Sequence, residues 1–356
     1  MLPIFLISNK PFVGKNLLAL GLSLNLKERG YKVSYMKLIG KIPYKRDDKI
    51  VDEEACFIHE MLESSDPVEY LSPFVLTYQT QYKLFKGENL KVDETIFEII
   101  NKQKDKDILI IVGGDTLFEG YSLKIDSLRM IKKLNAKTLV VQIWEGETSV
   151  DDILGIKDLI ENSFLGAIFN KVPPEQYLYV KETVVPYLNT QGIEVFGVFK
   201  KDKFLESITV RKLLEVVNGG IVCCEDKLDE FVENFLVGAM DPGQAFSYFL
   251  RVPNKAVITG LHRTDIQILA METSTKCLIL TGGLHANETV VNMARSKKVP
   301  IIVTPLDTFT TVDRIQNIMG KVILKEKDKA LKSKEIIAKE FALDEFLKKI
   351  GLLKNG

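Results

Sequence analysis

The sequence IFLISNKPFVGKN at residues 4–16 decides the fold that we expect for this chain. Four apolar residues at its start predict a short buried strand, and the leucine-rich residues 17–29, which end at Gly30, predict a helix. A strand, a tight loop with the pair Gly14 and Lys15, and a helix form, in this order, the architecture of a phosphate-binding loop. Backbone N–H groups and the lysine ammonium hold phosphate oxygens in such a loop.

The loop departs from the usual pattern at three positions. Asn9 stands where a first glycine belongs, Pro11 has no N–H to donate, and Asn16 replaces the Ser or Thr whose hydroxyl binds Mg²⁺. A side-chain amide is a neutral and less common ligand for this ion. We therefore expect that the loop, with Val13 as part of its wall, accepts an anion but holds Mg²⁺ poorly.

The composition indicates two globular domains without a strong charge preference. The 356 residues suffice for substantial cores, and 48 basic residues balance 48 acidic ones. No bulk basic field therefore favours nucleic acid, although a local basic patch stays open. No apolar run approaches the ~20 residues that span a bilayer, and residues 1–7 lack the features of a signal peptide. We expect a cytoplasmic protein that binds neither nucleic acid nor membrane.

Strand-like and helical stretches alternate along most of the chain. This pattern predicts an α/β protein with a doubly wound, mostly parallel sheet of the P-loop NTPase type, followed by a smaller α/β unit. The strands expected in the first unit are residues 4–7, 32–37, 108–112, 138–143, 166–169 and 193–199, and those expected in the second are residues 221–224, 256–259, 278–281 and 301–304.

Three domains follow from this patterning. The first covers residues 1–215, and the second covers residues 216–325, where the strand pattern restarts after a Gly-Gly pair. Residues 326–356 form a C-terminal helical extension, with amphipathic helices expected at 331–341 and 343–353. We expect these helices to be a solvated end cap, with docking of a partner in an assembly as the alternative.

The second unit contains the most specific sequence motifs of the chain. YFLRVP at residues 248–253, ITGLHRTDIQ at 258–267, TGG at 281–283 and PLDTFTTV at 305–312 resemble the DRTGG domain. Together with the first unit, the chain resembles the N-terminal half of long phosphotransacetylases, in which a dethiobiotin-synthetase-like domain precedes a DRTGG domain and an acetyl-transfer domain. The acetyl-transfer domain is not in this sequence, so we do not expect phosphotransacetylase activity from it alone.

This resemblance implies roles for several residues of the first unit. Lys15 matches the phosphate lysine, Lys37 matches the lysine that ends the second strand in dethiobiotin-synthetase-like proteins, and Glu54 falls where that family places an acid near magnesium. The family ends its third strand in Glu-Gly, whereas Val112 precedes the glycine here. Asp115, just past the same strand, is the acid that can compensate for the lost carboxylate.

Further positions border the expected nucleotide site. Gly113 ends the third strand, and Asn170 follows the fifth, where the superfamily holds adenine; an amide suits the donors and acceptors of a base edge. Lys10 lies where deviant phosphate loops of the superfamily carry a lysine that reaches a partner subunit's nucleotide, and a solvated surface lysine is the alternative. The functional version requires a homodimer that faces loop to loop. Trp144 either stacks on a ligand or packs a lid.

A second candidate site lies at the DRTGG motif itself. Arg263 and Asp265 follow a strand at the start of a helix, where an arginine and backbone N–H groups can hold an anion. His262 replaces the family's Asp and changes a carboxylate into an imidazole. In the structural alternative, Arg263 pairs with Asp265, Glu272 or Asp307 and fixes the fold.

The turn formed by Thr281, Gly282 and Gly283 belongs to the same candidate site. Its glycines allow close approach of another backbone, which suits either a ligand or a twofold interface. DRTGG domains in such relatives pair and often serve as regulatory modules, so the resemblance implies a homodimer.

Three functions fit these residues to different degrees. We expect a regulatory protein that binds ATP or another adenine nucleotide and is weak or inactive as an ATPase. Its DRTGG domain is expected to sense a small phosphorylated effector. The protein is expected to act on a separate phosphotransacetylase subunit. Lys15, Lys37 and Glu54 support the alternative, an ATP-dependent ligase of the dethiobiotin synthetase or cobyrinic acid diamide synthase type. A scaffold that binds no nucleotide is the third hypothesis.

Overall fold

The computed structural model describes residues 1–319 and 324–353. Residues 320–323, near the end of the predicted DRTGG domain, and residues 354–356, at the end of the predicted C-terminal extension, lie outside the described residues. The chain forms two compact units: residues 1–201 join the C-terminal segment in the first, and the second begins at Asp202. Within the described residues, no helix combines the length and the apolar character that crossing a bilayer requires.

Strands and helices alternate through the first part of the chain. The strands are β1 (Leu2–Ile7), β2 (Val33–Lys37), β3 (Pro43–Arg46), β4 (Lys49–Asp52), β5 (Ile108–Val112), β6 (Lys137–Ile143), β7 (Phe164–Val172) and β8 (Val195–Lys200). The helices are α1 (Lys15–Glu28), α2 (Glu53–Met61), α3 (Tyr78–Phe85), α4 (Val92–Lys102), α5 (Ser127–Leu134), α6 (Thr148–Ile160), α7 (Tyr177–Tyr179) and α8 (Val185–Thr190).

The main sheet of the first unit confirms the predicted fold class. Six parallel strands lie in the order β2-β5-β1-β6-β7-β8. Both faces of the sheet are covered, so its strands are rich in buried apolar residues, and all five residues of β5 are buried. Since β1 lies between β5 and β6, the loop that follows β1 leaves the middle of the carboxyl edge, where doubly wound sheets bind ligands.

The second unit contains a five-stranded sheet in the order β10-β15-β14-β13-β12, which is parallel except for β10. The strands of this unit are β9 (Ile208–Thr209), β10 (Gly220–Cys223), β11 (Phe231–Val232), β12 (Asn234–Val237), β13 (Lys255–Gly260), β14 (Thr275–Thr281) and β15 (Ile301–Thr304). Strands β9 and β11 form a separate antiparallel pair. Its helices are α9 (Val210–Val216), α10 (Pro242–Arg251), α11 (Thr264–Met271), α12 (Glu288–Lys297) and α13 (Thr308–Ile318).

Helices α14 (Lys327–Glu340) and α15 (Leu343–Lys349) return to the first unit, and the expectation of a solvated end cap is wrong. The hydroxyl of Ser333 donates to the carbonyl oxygen of Leu17 over 2.8 Å, so α14 lies directly on α1. Ile337, Phe341 and Phe346 are buried in the same apolar core. The charged residues of α14 dominated its sequence pattern, yet its apolar stripe covers the helix that follows the phosphate loop.

Candidate functional site

The loop after β1 has the backbone shape that a phosphate site requires. Gly14 adopts φ 90°, a left-handed conformation that favours glycine. A Cβ at this position would lie 2.6 Å from Nδ2 of Asn170. Within the described residues no side chain caps the start of α1, so the N–H groups of its first turn and the positive end of its dipole are open to an anion.

Lys15 begins α1 with a buried and unpartnered charge. The residue is only 6% exposed, and among the described residues its ammonium makes no hydrogen bond or ion pair. Burial lowers the pKa of Lys15 to about 8, although the charge of Asp115 opposes the shift. A buried cation without a counter-charge is costly in the free protein, and an anion at the start of α1 would relieve that cost.

Lys37, at the end of β2, lies between two carboxylates. Its Nζ is 2.6 Å from Oε2 of Glu54 and 3.1 Å from Oδ1 of Asp52. The Nδ2 of Asn16 donates to the same Glu54 oxygen over 2.7 Å, so this cluster borders the phosphate loop. Burial alone would lower the pKa of Lys37, but the two acids outweigh it and hold the pKa above its ordinary value.

The oxygens of these two acids already accept hydrogen bonds. Oδ1 of Asp52 accepts from the backbone N–H of Ala55, and Oδ2 accepts from the N–H groups of Lys41 and Ile42. Oε1 of Glu54 accepts from the backbone N–H of Leu324, and Oε2 accepts from Lys37 and from Nδ2 of Asn16. Mg²⁺ is the ion that this loop architecture implies, and it requires free oxygen lone pairs. The arrangement therefore does not fit Mg²⁺.

The other positions expected near a metal are also occupied by protein contacts. Asp115 is 2.5 Å from Nζ of Lys41, whose ammonium lies 2.6 Å from Glu119. Val112 is buried and offers no ligand atom, and a Cβ at Gly113 would lie 2.4 Å from a serine hydroxyl of α5. Within the described ranges, no group of three or more His, Cys, Asp or Glu residues is arranged to hold a metal ion.

Asn170 lies on strand β7, two strands away from β1 in the sheet, and contacts the loop after β1. Its Nδ2 donates to the carbonyl oxygen of Val13 over 2.8 Å. In the described part of the chain its second N–H and its carbonyl oxygen make no hydrogen bond. The residue that we expected at the base thus also fixes the position of the phosphate loop.

Lys10 and Trp144 both have partners within the first unit. Nζ of Lys10 is 2.5 Å from Glu145 and 3.7 Å from Asp152. The indole of Trp144 is buried and packs edge-on against Phe169, with the ring centroids 5.7 Å apart. In this structure Lys10 is therefore held by acids after β6, and Trp144 packs under the ligand edge.

Sequence reasoning missed three charged residues of the site. Asp52 lies two residues before Glu54, which was the acid expected near magnesium. Lys41 and Glu119, which affect the charge around Lys15, follow β2 and β5 by only a few residues. Their position after two neighbouring strands of a parallel sheet is the signal that could have identified them.

In the second unit, the structural alternative for Arg263 is realised. Its Nε lies 3.1 Å from Oδ1 of Asp265, and its Nη2 donates to the carbonyl oxygen of Met240 over 3.0 Å. The hydrogen bond from Arg263 lowers the pKa of Asp265. Glu272 instead pairs with a lysine of α12, and Asp307 caps α13.

The remaining positions of the DRTGG candidate lie at the carboxyl ends of β13 and β14. Thr281 shares a hydrogen bond of 2.7 Å with the hydroxyl of Thr308. Gly282 adopts φ 84°, and its N–H donates to the carbonyl oxygen of Leu306 after β15, whereas that of Gly283 donates to the carbonyl oxygen of Thr304 at the end of β15. His262 is exposed beside them. The topology brings these groups to one edge, as the motif predicts, and the Gly-Gly turn contacts the backbone after β15.

Comparison with known proteins finds two consecutive family matches: an AAA domain over residues 3–209 and a DRTGG domain over residues 212–318. The chain is thus a P-loop domain followed by a DRTGG domain. The uncharacterized protein YtoI of Bacillus subtilis is 25% identical over 127 residues. That match covers 36% of this chain but only 28% of the relative.

Two solved structures resemble parts of the chain. The CBS and DRTGG domains of the regulatory region of Clostridium perfringens pyrophosphatase, complexed with the activator diadenosine tetraphosphate, are 22% identical, with 35% of this chain and 53% of that chain covered and a TM-score of 0.28. The MinD cell division protein of Aquifex aeolicus is 18% identical, with 58% and 84% covered and a TM-score of 0.34.

Proposed function

Because the chain belongs to the AAA domain family, we propose that it is a regulatory protein that binds an adenine nucleotide at its phosphate loop. In this proposal the first unit holds the phosphates at the start of α1, and the DRTGG unit senses a small phosphorylated effector. Hydrolysis by the first unit is weak or absent.

The observation that carries the proposal is the state of Lys15. A buried ammonium without a partner costs free energy, and native structures retain such a group where a ligand compensates it. The ammonium lies at the start of a 14-residue helix whose first N–H groups are uncapped by side chains of the described residues. Helix dipole, N–H groups and lysine act together on an anion with several oxygens, which favours a phosphate chain over a single carboxylate.

Adenine recognition is assigned to Asn170 within the same proposal. One of its N–H groups fixes the loop at Val13, and the other N–H and the amide oxygen remain for the base edge. An amide offers a donor and an acceptor side by side, which matches the exocyclic amine and a neighbouring ring nitrogen of adenine. The hydrogen bond between Asn170 and Val13 therefore couples base binding to phosphate binding.

The competing function is an ATP-dependent ligase. It would use Lys15 and Lys37 on the phosphates and would need a metal-bound transition state. Such a metal needs a carboxylate, where this chain has Val112, and a hydroxyl, where it has Asn16. The loss of both groups favours the regulatory function. Release of phosphate from ATP in the presence of a carboxylate substrate, abolished by Lys15→Ala, would favour the ligase instead.

The partner and the oligomeric state complete the proposal. The resemblance of the sequence to the N-terminal half of phosphotransacetylases supports a separate acetyl-transfer subunit as the regulated partner, and the DRTGG unit supports a homodimer. The cytoplasm is the proposed compartment. Light scattering after size-exclusion chromatography, alone and with such a subunit, tests both assignments: a monomer that never co-elutes with the subunit would contradict them.

Isothermal titration with ATP and ADP tests the central function. The wild-type protein is expected to bind at least one of the two nucleotides, and Lys15→Ala is expected to lose at least about tenfold in affinity, the equivalent of about 1.4 kcal/mol. Lys132→Ala, at an exposed lysine of the same unit, is the matched control and should bind as the wild type does. Equal affinity of Lys15→Ala and wild type would overturn the assignment of the site.

A further inference from the structure

We propose that the ammonium of Lys37 takes the place of the divalent metal ion in the first unit, so that the phosphate loop binds its nucleotide as a metal-free anion. This inference rests on the proposed function and names the form of the ligand.

The first argument is the cage around this ammonium. Nζ of Lys37 contacts both oxygens of Asp52, at 3.1 and 3.2 Å, and Oε2 of Glu54 at 2.6 Å. The side chain of Asp52 is fully buried, and those of Lys37 and Glu54 are each 8% exposed. An ion pair so deeply withdrawn from water is a fixed part of the structure, unlike a surface salt bridge.

The second argument is that backbone donors hold both carboxylates in place. Asp52 caps α2 through the N–H of Ala55 and also accepts two N–H groups from the loop after β2. Glu54 accepts the N–H of Leu324, which leads into the C-terminal helices. A metal ion needs lone pairs that face it, whereas these oxygens are aligned on N–H donors. A lysine fits this arrangement because its N–H groups donate to the lone pairs that the backbone leaves free, whereas Mg²⁺ would require oxygens in near-ideal octahedral geometry.

The third argument concerns charge beside the loop. A divalent ion at the same acids would meet the ammonium of Lys37 at contact distance and would have to displace it. Asn16 completes the substitution, because its amide points an N–H at Glu54 where a hydroxyl would point a lone pair at a metal.

The test combines nucleotide titration with direct detection of metal. Titrations of the wild-type protein with ATP are made in excess Mg²⁺ and in EDTA, and Mn²⁺ binding is followed by electron paramagnetic resonance without nucleotide. We expect ATP affinities that agree within about threefold in the two buffers. Affinity at least about tenfold higher with Mg²⁺ would overturn the proposal.

The Mn²⁺ measurement separates this inference from the proposed function. We expect no protein-bound Mn²⁺ signal for the wild type or for Lys37→Arg, which keeps the charge, and a bound signal for Lys37→Met, which frees the acids. Mn²⁺ bound by the wild type and lost in Glu54→Gln would overturn the proposal, and this arm needs no folded Lys37→Met protein. Failure of ATP to bind in either buffer would refute the proposed function, and the Mn²⁺ arm would still decide on Lys37.

Discussion

The side chain of Asn170 connects strand β7 to the loop after β1 at the candidate nucleotide site. Its Nδ2 donates to the carbonyl oxygen of Val13 over 2.8 Å, although β6 lies between the two strands in the sheet. The bond reaches the loop residue directly before Gly14. The position of the phosphate loop therefore depends on a residue more than 150 positions later in the chain.

Replacement of Asn170 by Asp tests this relationship. The carboxylate would face the carbonyl oxygen of Val13 without a proton to share, and such an unsatisfied pair costs about 1–3 kcal/mol. We expect a lower free energy of unfolding in urea and weaker ATP binding. Asn162→Asp, at an exposed position of the same unit, should change neither. An unchanged Asn170→Asp protein would mean that the hydrogen bond does not hold the loop.

Substitution of Gly14 by Ala tests the backbone shape of the loop. The left-handed φ and the approach of Nδ2 of Asn170 to 2.6 Å predict a loss of about 1–3 kcal/mol and a loss of nucleotide affinity. Gly155 lies in α6 with open space around it, so Gly155→Ala should stabilise by about 0.5–1 kcal/mol. Urea unfolding and ATP titration of both variants decide the question. Normal binding by Gly14→Ala would contradict the predicted loop.

We expect Lys15 to lower the free energy of unfolding of the ligand-free protein, although it contributes to ligand binding. Its pKa is about 8 in the folded state, against an ordinary value of 10.5. Between these two pH values the unfolded chain binds the proton more tightly, so stability rises as pH increases from 8 to 10.5. Below pH 8 the full penalty remains, and we expect Lys15→Met to be more stable than wild type by about 2–3 kcal/mol at pH 7.

The measurement for Lys15 is urea unfolding at pH 7 and pH 10 without nucleotide. The advantage of Lys15→Met should shrink at the higher pH, where the wild-type lysine is mostly neutral in the fold. Lys132→Met is the control, since an exposed lysine should give no such difference. A Lys15→Met protein that is less stable than wild type at pH 7 would show that the ammonium has a partner.

Packing of the C-terminal helix on α1 gives a further prediction. A Cβ at Gly21 would lie 2.6 Å from the hydroxyl of Ser333 and 3.0 Å from its carbonyl oxygen. Gly21→Val should therefore push α14 away and cost about 1–3 kcal/mol of unfolding free energy. Gly155→Val, in open helix surface, is the size-matched control. Equal stability of the two variants would mean that α14 does not rest on α1.

The order of elements was largely predictable because most of the parallel strands contain a short apolar run. The stretch 108–112, for example, is both a five-residue apolar run and a fully buried strand. The β3–β4 hairpin was missed because it is mostly exposed and polar, and β12 (Asn234–Val237) was missed because it is short and only partly buried. The position of α14 was wrong because its lysines obscure the few residues, such as Ile337, that enter the core.

The candidate site was predictable as a place but not as a set of contacts. The Gly-Lys pair after the first strand located Lys15, because that motif is contiguous in sequence. The contact of Lys37 with Asp52 depends on how the loop after β2 folds back, which no spacing rule determines. Likewise, the sequence offered three acids as partners for Arg263, and only the folded turn selects Asp265.

A crystal structure of the protein grown with ATP is the most direct test of the central claim. The account predicts phosphate oxygens within about 2.7–3.2 Å of Nζ of Lys15 and of the N–H groups in the first turn of α1. Nucleotide bound elsewhere, for instance beside Arg263, with Lys15 still unpartnered, would contradict it.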